Sequence, residues 1–317
     1  MRFYYPEGRL LDTAQNRAAL VSPSTLADAC RDGQILEARA VVCDSEHNLI
    51  VDLGCMKGII PREESAIGIR EGTVRDIAIL SRVNRPVCFL VTGFDTLPDG
   101  TTVARLSRRM AQEQCQQSYL STLSPGDVID ATITHLEVFG AFADIGCGII
   151  SLLPIDAISI SRISHPAERF SVGMEIKAIV KTIENQRITL SHKELLGTWT
   201  ENAARFSPGE TVGGIVRSVE PYGIFVELAP NLAGLAELKE GVEPGQQASV
   251  YIKNMIPSRM KVKLIVIDTF DGPCHPQCPD YFFTGKHMDA FHYSPPDCEK
   301  QIVTVFGAKS APEKHPL

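Results

Sequence analysis

Through the middle of the chain, apolar and polar residues alternate with a period of two, the pattern of strands that bury one face. Residues 174–183 show it most clearly, with Ile176, Ala178, Val180 and Thr182 on one side. Upstream, Val128, Thr132 and Thr134 sit among apolar neighbours, and a short strand runs through Phe142, Ile145 and Ile149-Ile150. A loop containing His165-Pro166 precedes the long strand, and Arg187-Ile188-Thr189-Leu190-Ser191 closes the set. Five short strands with the longest loop between the third and fourth predict a small Greek-key barrel.

The same pattern recurs along the chain. Gly126-Asp127-Val128-Ile129 and Gly209-Glu210-Thr211-Val212 each follow Ser-Pro, and each leads into an aromatic-Gly-x-Phe motif. That motif is Phe139-Gly140-Ala141-Phe142 in one copy and Tyr222-Gly223-Ile224-Phe225 in the other. A more degenerate copy starts at Gly33-Gln34-Ile35-Leu36, and its Val51-Asp52-Leu53-Gly54-Cys55 parallels Ala143-Asp144-Ile145-Gly146-Cys147. Both then run through an apolar strand into proline, at Ile59-Ile60-Pro61 and Leu152-Leu153-Pro154. The expected fold is mainly β: three tandem five-stranded OB-type Greek-key barrels joined by short helices, with a small C-terminal tail subdomain. The expected domains are an N-terminal arm over 1–32, barrels over 33–110, 125–193 and 208–268, and a tail over 269–317.

Between the copies, residues 106–120 and 194–206 are rich in helix formers, and the second stretch carries the sole tryptophan, Trp199. Each predicted helix ends at the Ser-Pro-Gly that opens the next barrel, because proline cannot extend a helix and glycine frees the chain to turn. Such spacers predict separate beads on a string. In the N-terminal arm a helix is expected to begin near Ser24, after Ser22-Pro23. Tyr281-Phe282-Phe283 and Ile302-Val303-Thr304-Val305-Phe306 are apolar enough to pack the tail as strands.

Composition changes this picture little. Hydrophobic residues at 44% and charged residues at 22% are globular values. The first residues carry no apolar secretory core, and no apolar run is long enough to span a bilayer, so a soluble cytoplasmic protein without a membrane partner is expected. Nine scattered cysteines fit reduced thiols better than a disulfide framework. A net charge of −7 runs against tight nucleic-acid binding, unless a local groove relies on stacking or carries its own basic stripe. Lys253, Arg259, Lys261 and Lys263 form the densest such run.

The aromatic-Gly-x-Phe motif holds the candidate chemistry. Residues three apart on a regular strand point to opposite faces, but a bulge at the glycine would turn both rings outward while Ala141, Ala143 and Ile145 fill the barrel. Two rings facing water suit stacked bases, at roughly 1–3 kcal/mol for each base. The alternative is that the rings lie in the core, as most phenylalanines do. A cation at the mouth of the platform, Arg187 or Lys261, would meet phosphate.

With these motifs the chain resembles the S1 RNA-binding domain, the OB module of the bacterial small-subunit ribosomal protein S1 family, over about residues 33–268. The resemblance is strong in the middle copy, good in the third and weak in the first. It implies an RNA face of Phe139, Phe142, Glu184 and Arg187 in the middle copy, and of Tyr222, Phe225 and Lys261 in the third. Pro154 and Glu237 stand where the family often has histidine, and Pro257 stands where it has an acid. In the first copy His47 and Ile50 take the aromatic positions, so that barrel is expected to dock protein. The resemblance thus implies single-stranded RNA as partner and a translation-associated role, with the ribosome or another ribonucleoprotein particle as a further partner. The alternative is a ribonucleoprotein-docking protein with weak RNA affinity.

The tail departs from the repeats. Cys274, Cys278, His287 and Cys298 are residue types that bind zinc, but their spacing forms no neat pair of pairs; the alternative is a small capping subdomain. Gly-rich phosphate loops, HExxH and nucleophile elbows are all absent from the sequence, so no enzyme is expected.

Overall fold

The computed structural model describes residues 4–185, 187–272 and 278–307. Alternation becomes pleat in three successive barrels. The first is β1 (Leu36–Cys43), β2 (Leu49–Asp52), β3 (Lys57–Ile60), β4 (Pro86–Thr96) and β5 (Thr102–Ser107). The second is β6 (Val128–Glu137), β7 (Gly140–Asp144), β8 (Ile150–Pro154), β9 (Glu175–Glu184) and β10 (Arg187–Ser191). The third is β11 (Thr211–Glu220), β12 (Gly223–Ala229), β13 (Leu232–Ala236), β14 (Gln247–Ile256) and β15 (Lys261–Phe270). Each sheet is closed, with its third and fifth strands parallel and the other neighbours antiparallel, which is the expected five-stranded Greek-key barrel. Every second side chain enters the barrel: Ala141, Ala143, Ile176, Ala178 and Val180 in the middle one, Ile224, Val226, Val250, Ile252 and Leu264 in the third, all buried.

The chain forms two compact units, residues 1–123 with 144–150, and residues 124–143 with 151–317. In the first unit, α1 (Ala14–Leu20) and α2 (Pro23–Arg31) precede the barrel; α2 begins where Ser22-Pro23 predicts, with Ser22 and Thr25 forming a reciprocal cap. Further on, α3 (Ile77–Leu80) is a single turn, and α4 (Arg108–Ser118) fills most of the stretch predicted helical after β5. A buried acidic and basic cluster ties the N-terminal arm to this unit. Glu7 accepts from Arg108 Nε at 2.6 Å and from the Cys88 amide at 3.0 Å. Burial pushes the Glu37 carboxyl up to about 8, and the neighbouring Glu7 charge adds to that rise.

The second unit departs from the prediction in two places. The stretch 194–206 is not one helix: a 3-10 turn over Lys193–Leu196 stops at Gly197, and α5 (Trp199–Ala203) restarts under a Thr198–Glu201 cap. Gly197 has φ +85°, and a Cβ there would lie 2.6 Å from the Phe282 ring, so backbone and packing both enforce the break. Nor are the middle and third barrels separate beads. Fully buried Asn231, between β12 and β13, accepts from the Ile160 amide at 3.0 Å and donates to the Lys193 and Gly197 carbonyls at 2.8 Å each. Beside it, Arg217 clasps Glu227 through two bonds of 2.8 and 3.0 Å, Arg169 reaches the same carboxylate, and Arg217 also contacts Glu168.

The tail straps this junction. Trp199 N–H donates to the Tyr293 carbonyl at 3.0 Å, and Tyr293 Oη donates to the Asn231 carbonyl at 2.6 Å. Tyr281-Phe282-Phe283 is not a strand; it packs through side chains, with Tyr281 Oη accepting from the Lys177 amide at 2.8 Å. The tail's strands are β16 (Ala290–His292) and β17 (Val303–Val305), the second falling where the apolar run predicts. Gly126 must be glycine here: at φ +97°, a Cβ would meet the Met288 carbonyl oxygen at 2.4 Å. Among the described residues no helix is long and apolar enough to cross a membrane.

Candidate nucleic-acid interface

In the middle barrel Phe139 is 56% exposed and Phe142 half-buried; in the third, Tyr222 is 68% exposed and Phe225 half-buried. Their geometries nearly coincide. Phe139 and Phe142 have centroids 6.0 Å apart at an interplanar angle of 88°, and Tyr222 and Phe225 stand 6.1 Å apart at 88°. Each pair is an edge-to-face corner open to solvent, with Ala141 or Ile224 between them turned into the barrel.

The rings share a face for a reason other than a bulge at the glycine. Phe139 and Tyr222 lie in the hairpin turns before β7 and β12, so strand parity does not apply to them. In the β11–β12 pairing of the third barrel the register shift falls on the opposing strand, between Val216 and Ser218. The glycine is required by close approach instead. A Cβ on Gly140 would stand 2.5 Å from the Leu153 carbonyl oxygen, and one on Gly223 2.5 Å from that of Ala236.

The charged candidates divide. Arg187 and Glu184 are exposed and sit opposite each other at the β9–β10 turn. Lys261 is exposed opposite Ile256, so Ile256 rather than Pro257 takes the position facing the cation. In the first barrel Ile50 pairs with Val42 and Ile59, and His47 occupies the turn with φ 64°, giving an aliphatic face where the others are aromatic.

Three contributors escape a reading along the sequence. His135 on β6 stacks on Phe142 at 6.3 Å and 27°, and is bonded to Glu137 at 2.7 Å. Leu235 pairs with Phe225 on one side and Lys263 on the other. Leu152 on β8 holds the matching place beside Thr189. None announces itself in the sequence, because each joins the face through a neighbouring strand and carries no motif of its own.

The described tail residues with metal-binding side chains do not come together. Cys274 lies outside the described residues. Cys278 is exposed and Cys298 buried. His287 has both ring nitrogens engaged, Nδ1 at 2.6 Å from Asp127 and Nε2 at 3.3 Å from Asp289. The hydrogen bond to Asp127 raises its pKa above the ordinary histidine value. Among the described residues no group of three His, Cys, Asp or Glu side chains stands close enough to hold a metal ion.

A closed five-stranded Greek-key barrel with its third and fifth strands parallel defines an OB module, and two of the three carry an exposed aromatic corner on the outer face. The family model for the S1 RNA binding domain matches residues 122–193, the middle barrel. The chain is similar to the small ribosomal subunit protein bS1 of Staphylococcus aureus (strain COL), 29% identical over 262 residues covering 77% of this chain and 64% of that protein. With the protein of the same name in Staphylococcus epidermidis it shares 30% over 233 residues, 69% of this chain and 57% of that protein. The chain therefore spans less than two thirds of the length of these relatives. A multidomain protein with nucleic acid binding domains from Streptococcus pneumoniae overlaps 74% of each chain at 13% identity and a TM-score of 0.25. The fold accordingly rests on the strand pairing described above.

Proposed function

We propose that the chain binds single-stranded RNA on the outer faces of its middle and third barrels, without catalysis, in a cytoplasmic, translation-associated role like that suggested by the name of its bS1 relatives. The observation that carries the reading is the repetition of one solvent-open aromatic corner, with the same spacing and angle, on two barrels of a single compact unit. Exposed aromatic pairs add little burial energy to the fold and mark interaction surfaces, and nucleobases stack on such rings whatever their sequence. Phe139, Phe142, Glu184 and Arg187 are the contacts proposed in the middle barrel, with Tyr222, Phe225 and Lys261 in the third.

A second reading has one observation in its favour. The first barrel presents Val42, Ile50 and Ile59 where the platforms stand, a face suited to protein. Docking to a ribosome or other ribonucleoprotein through that face is compatible with RNA binding by the other two barrels. Titration of the intact chain with an unstructured RNA oligomer at low salt separates the two. Saturable binding is expected, and its absence would leave docking alone.

A further inference from the structure

Strand register lines up an equivalent row of outward side chains around each barrel. In the third it reads Ser218, Phe225, Leu235, Lys263 and Asn254. In the first it reads Val42, Ile50, Ile59, Arg105 and Gly93. In the middle barrel His135 stacks on Phe142, and the far side of the row is Leu152, Thr189 and Thr182.

The position held by Lys263 carries a cation in the first and third barrels and none in the middle one. Arg105 is paired with Asp95 at 3.5 Å. The middle barrel has Thr189 there, and its nearby Arg187 faces Glu184. In the third barrel Lys263 faces Asn254 and Lys261 faces Ile256, while Lys253 and Arg259 are exposed on the same hairpin. None of these four cations has an ion pair among the described residues.

From these rows we infer that the two RNA-binding barrels, both stacking bases, divide the remaining work of gripping the strand. The third adds to its aromatic corner a hold on the phosphodiester backbone through Lys261 and Lys263 beside Phe225. The middle one holds bases on a three-ring surface of His135, Phe142 and Phe139. The inference rests on the RNA-binding reading above and assigns Lys263 and His135 roles within it.

The physical consequence is a division in salt dependence. A lysine that neutralises a phosphate releases a condensed counterion, so each such contact on a single strand contributes a slope of about −0.7 to log affinity against log salt. Base stacking releases none and contributes affinity at every salt concentration.

The test uses the full chain and an oligouridylate of about 16 nucleotides, long enough for one to several OB-fold sites. Lys261→Ala/Lys263→Ala is expected to flatten the slope by about 1.4, whereas Lys261→Arg/Lys263→Arg keeps it. His135→Ala is expected to weaken binding about fivefold at every salt concentration, with the slope unchanged. An unchanged slope in the alanine pair, or a slope that falls with His135→Ala as it does with the lysines, would overturn the division while leaving RNA binding intact. Failure of the unaltered chain to bind at low salt would overturn the RNA reading itself and this inference with it.

Discussion

Replacing Phe142 and Phe225 together by alanine is expected to weaken single-stranded RNA binding at least tenfold without unfolding the chain. Each ring is the inner member of its corner, the one on the strand, and each supports the exposed ring in the turn before it. One stacked base is worth roughly 1–3 kcal/mol, so losing two costs at least about 2 kcal/mol, beyond one order of magnitude in affinity. Folding is spared because both side chains lie outside the barrels, whose interiors are filled by Ala141, Ala143, Ile224 and Val226. Fluorescence anisotropy with a labelled oligomer checks the affinity, and circular dichroism checks the fold. Unchanged affinity in the double variant would remove the rings from the interface.

The largest effect on stability is expected from Asn231→Ala. Its side-chain amide satisfies the Ile160 amide and the carbonyls of Lys193 and Gly197, three main-chain groups from the segment between the barrels and the edge of the middle one. A buried group left without its partner costs about 1–3 kcal/mol, so the substitution should destabilise the second unit by about 3 kcal/mol or more. Trp199, the sole tryptophan, is buried at the same junction and reports on this unit alone. Urea unfolding followed by its fluorescence should show a midpoint lower by about 1 M or more, given slopes of about 1–3 kcal/mol/M for domains of ordinary size. A midpoint that does not move would mean that the junction is held by the Arg169–Glu227–Arg217 cluster instead.

Much of this architecture is written in local patterns. The barrels follow from alternation, because a strand with one face buried and one wet must place apolar residues at every second position. The cap at Ser22 and the helix over Arg108–Ser118 follow from short-range chemistry in the same way. What depends on distant contacts was hidden. Gly197 breaks a segment of good helix formers because Phe282, far along the chain, occupies the space a side chain would need. The motif glycines suggest a bulge when read along one strand, yet they are set by the neighbouring strand's carbonyl oxygen at 2.5 Å. The aromatic rings were legible because a repeated motif marks them, and Lys263 because it lies in the basic run, whereas His135 and Leu235 enter the interface only by lying against Phe142 and Phe225. Residue type alone also does not show that His287 in the tail has a carboxylate on each ring nitrogen.

The most direct measurement is the ring-proton NMR spectrum of the chain during titration with an unstructured RNA oligomer. The account predicts upfield shifts, saturating with binding, for Phe139, Phe142, Tyr222 and Phe225 as bases come to lie against them. Saturable RNA binding that leaves all four rings at their free positions would contradict it.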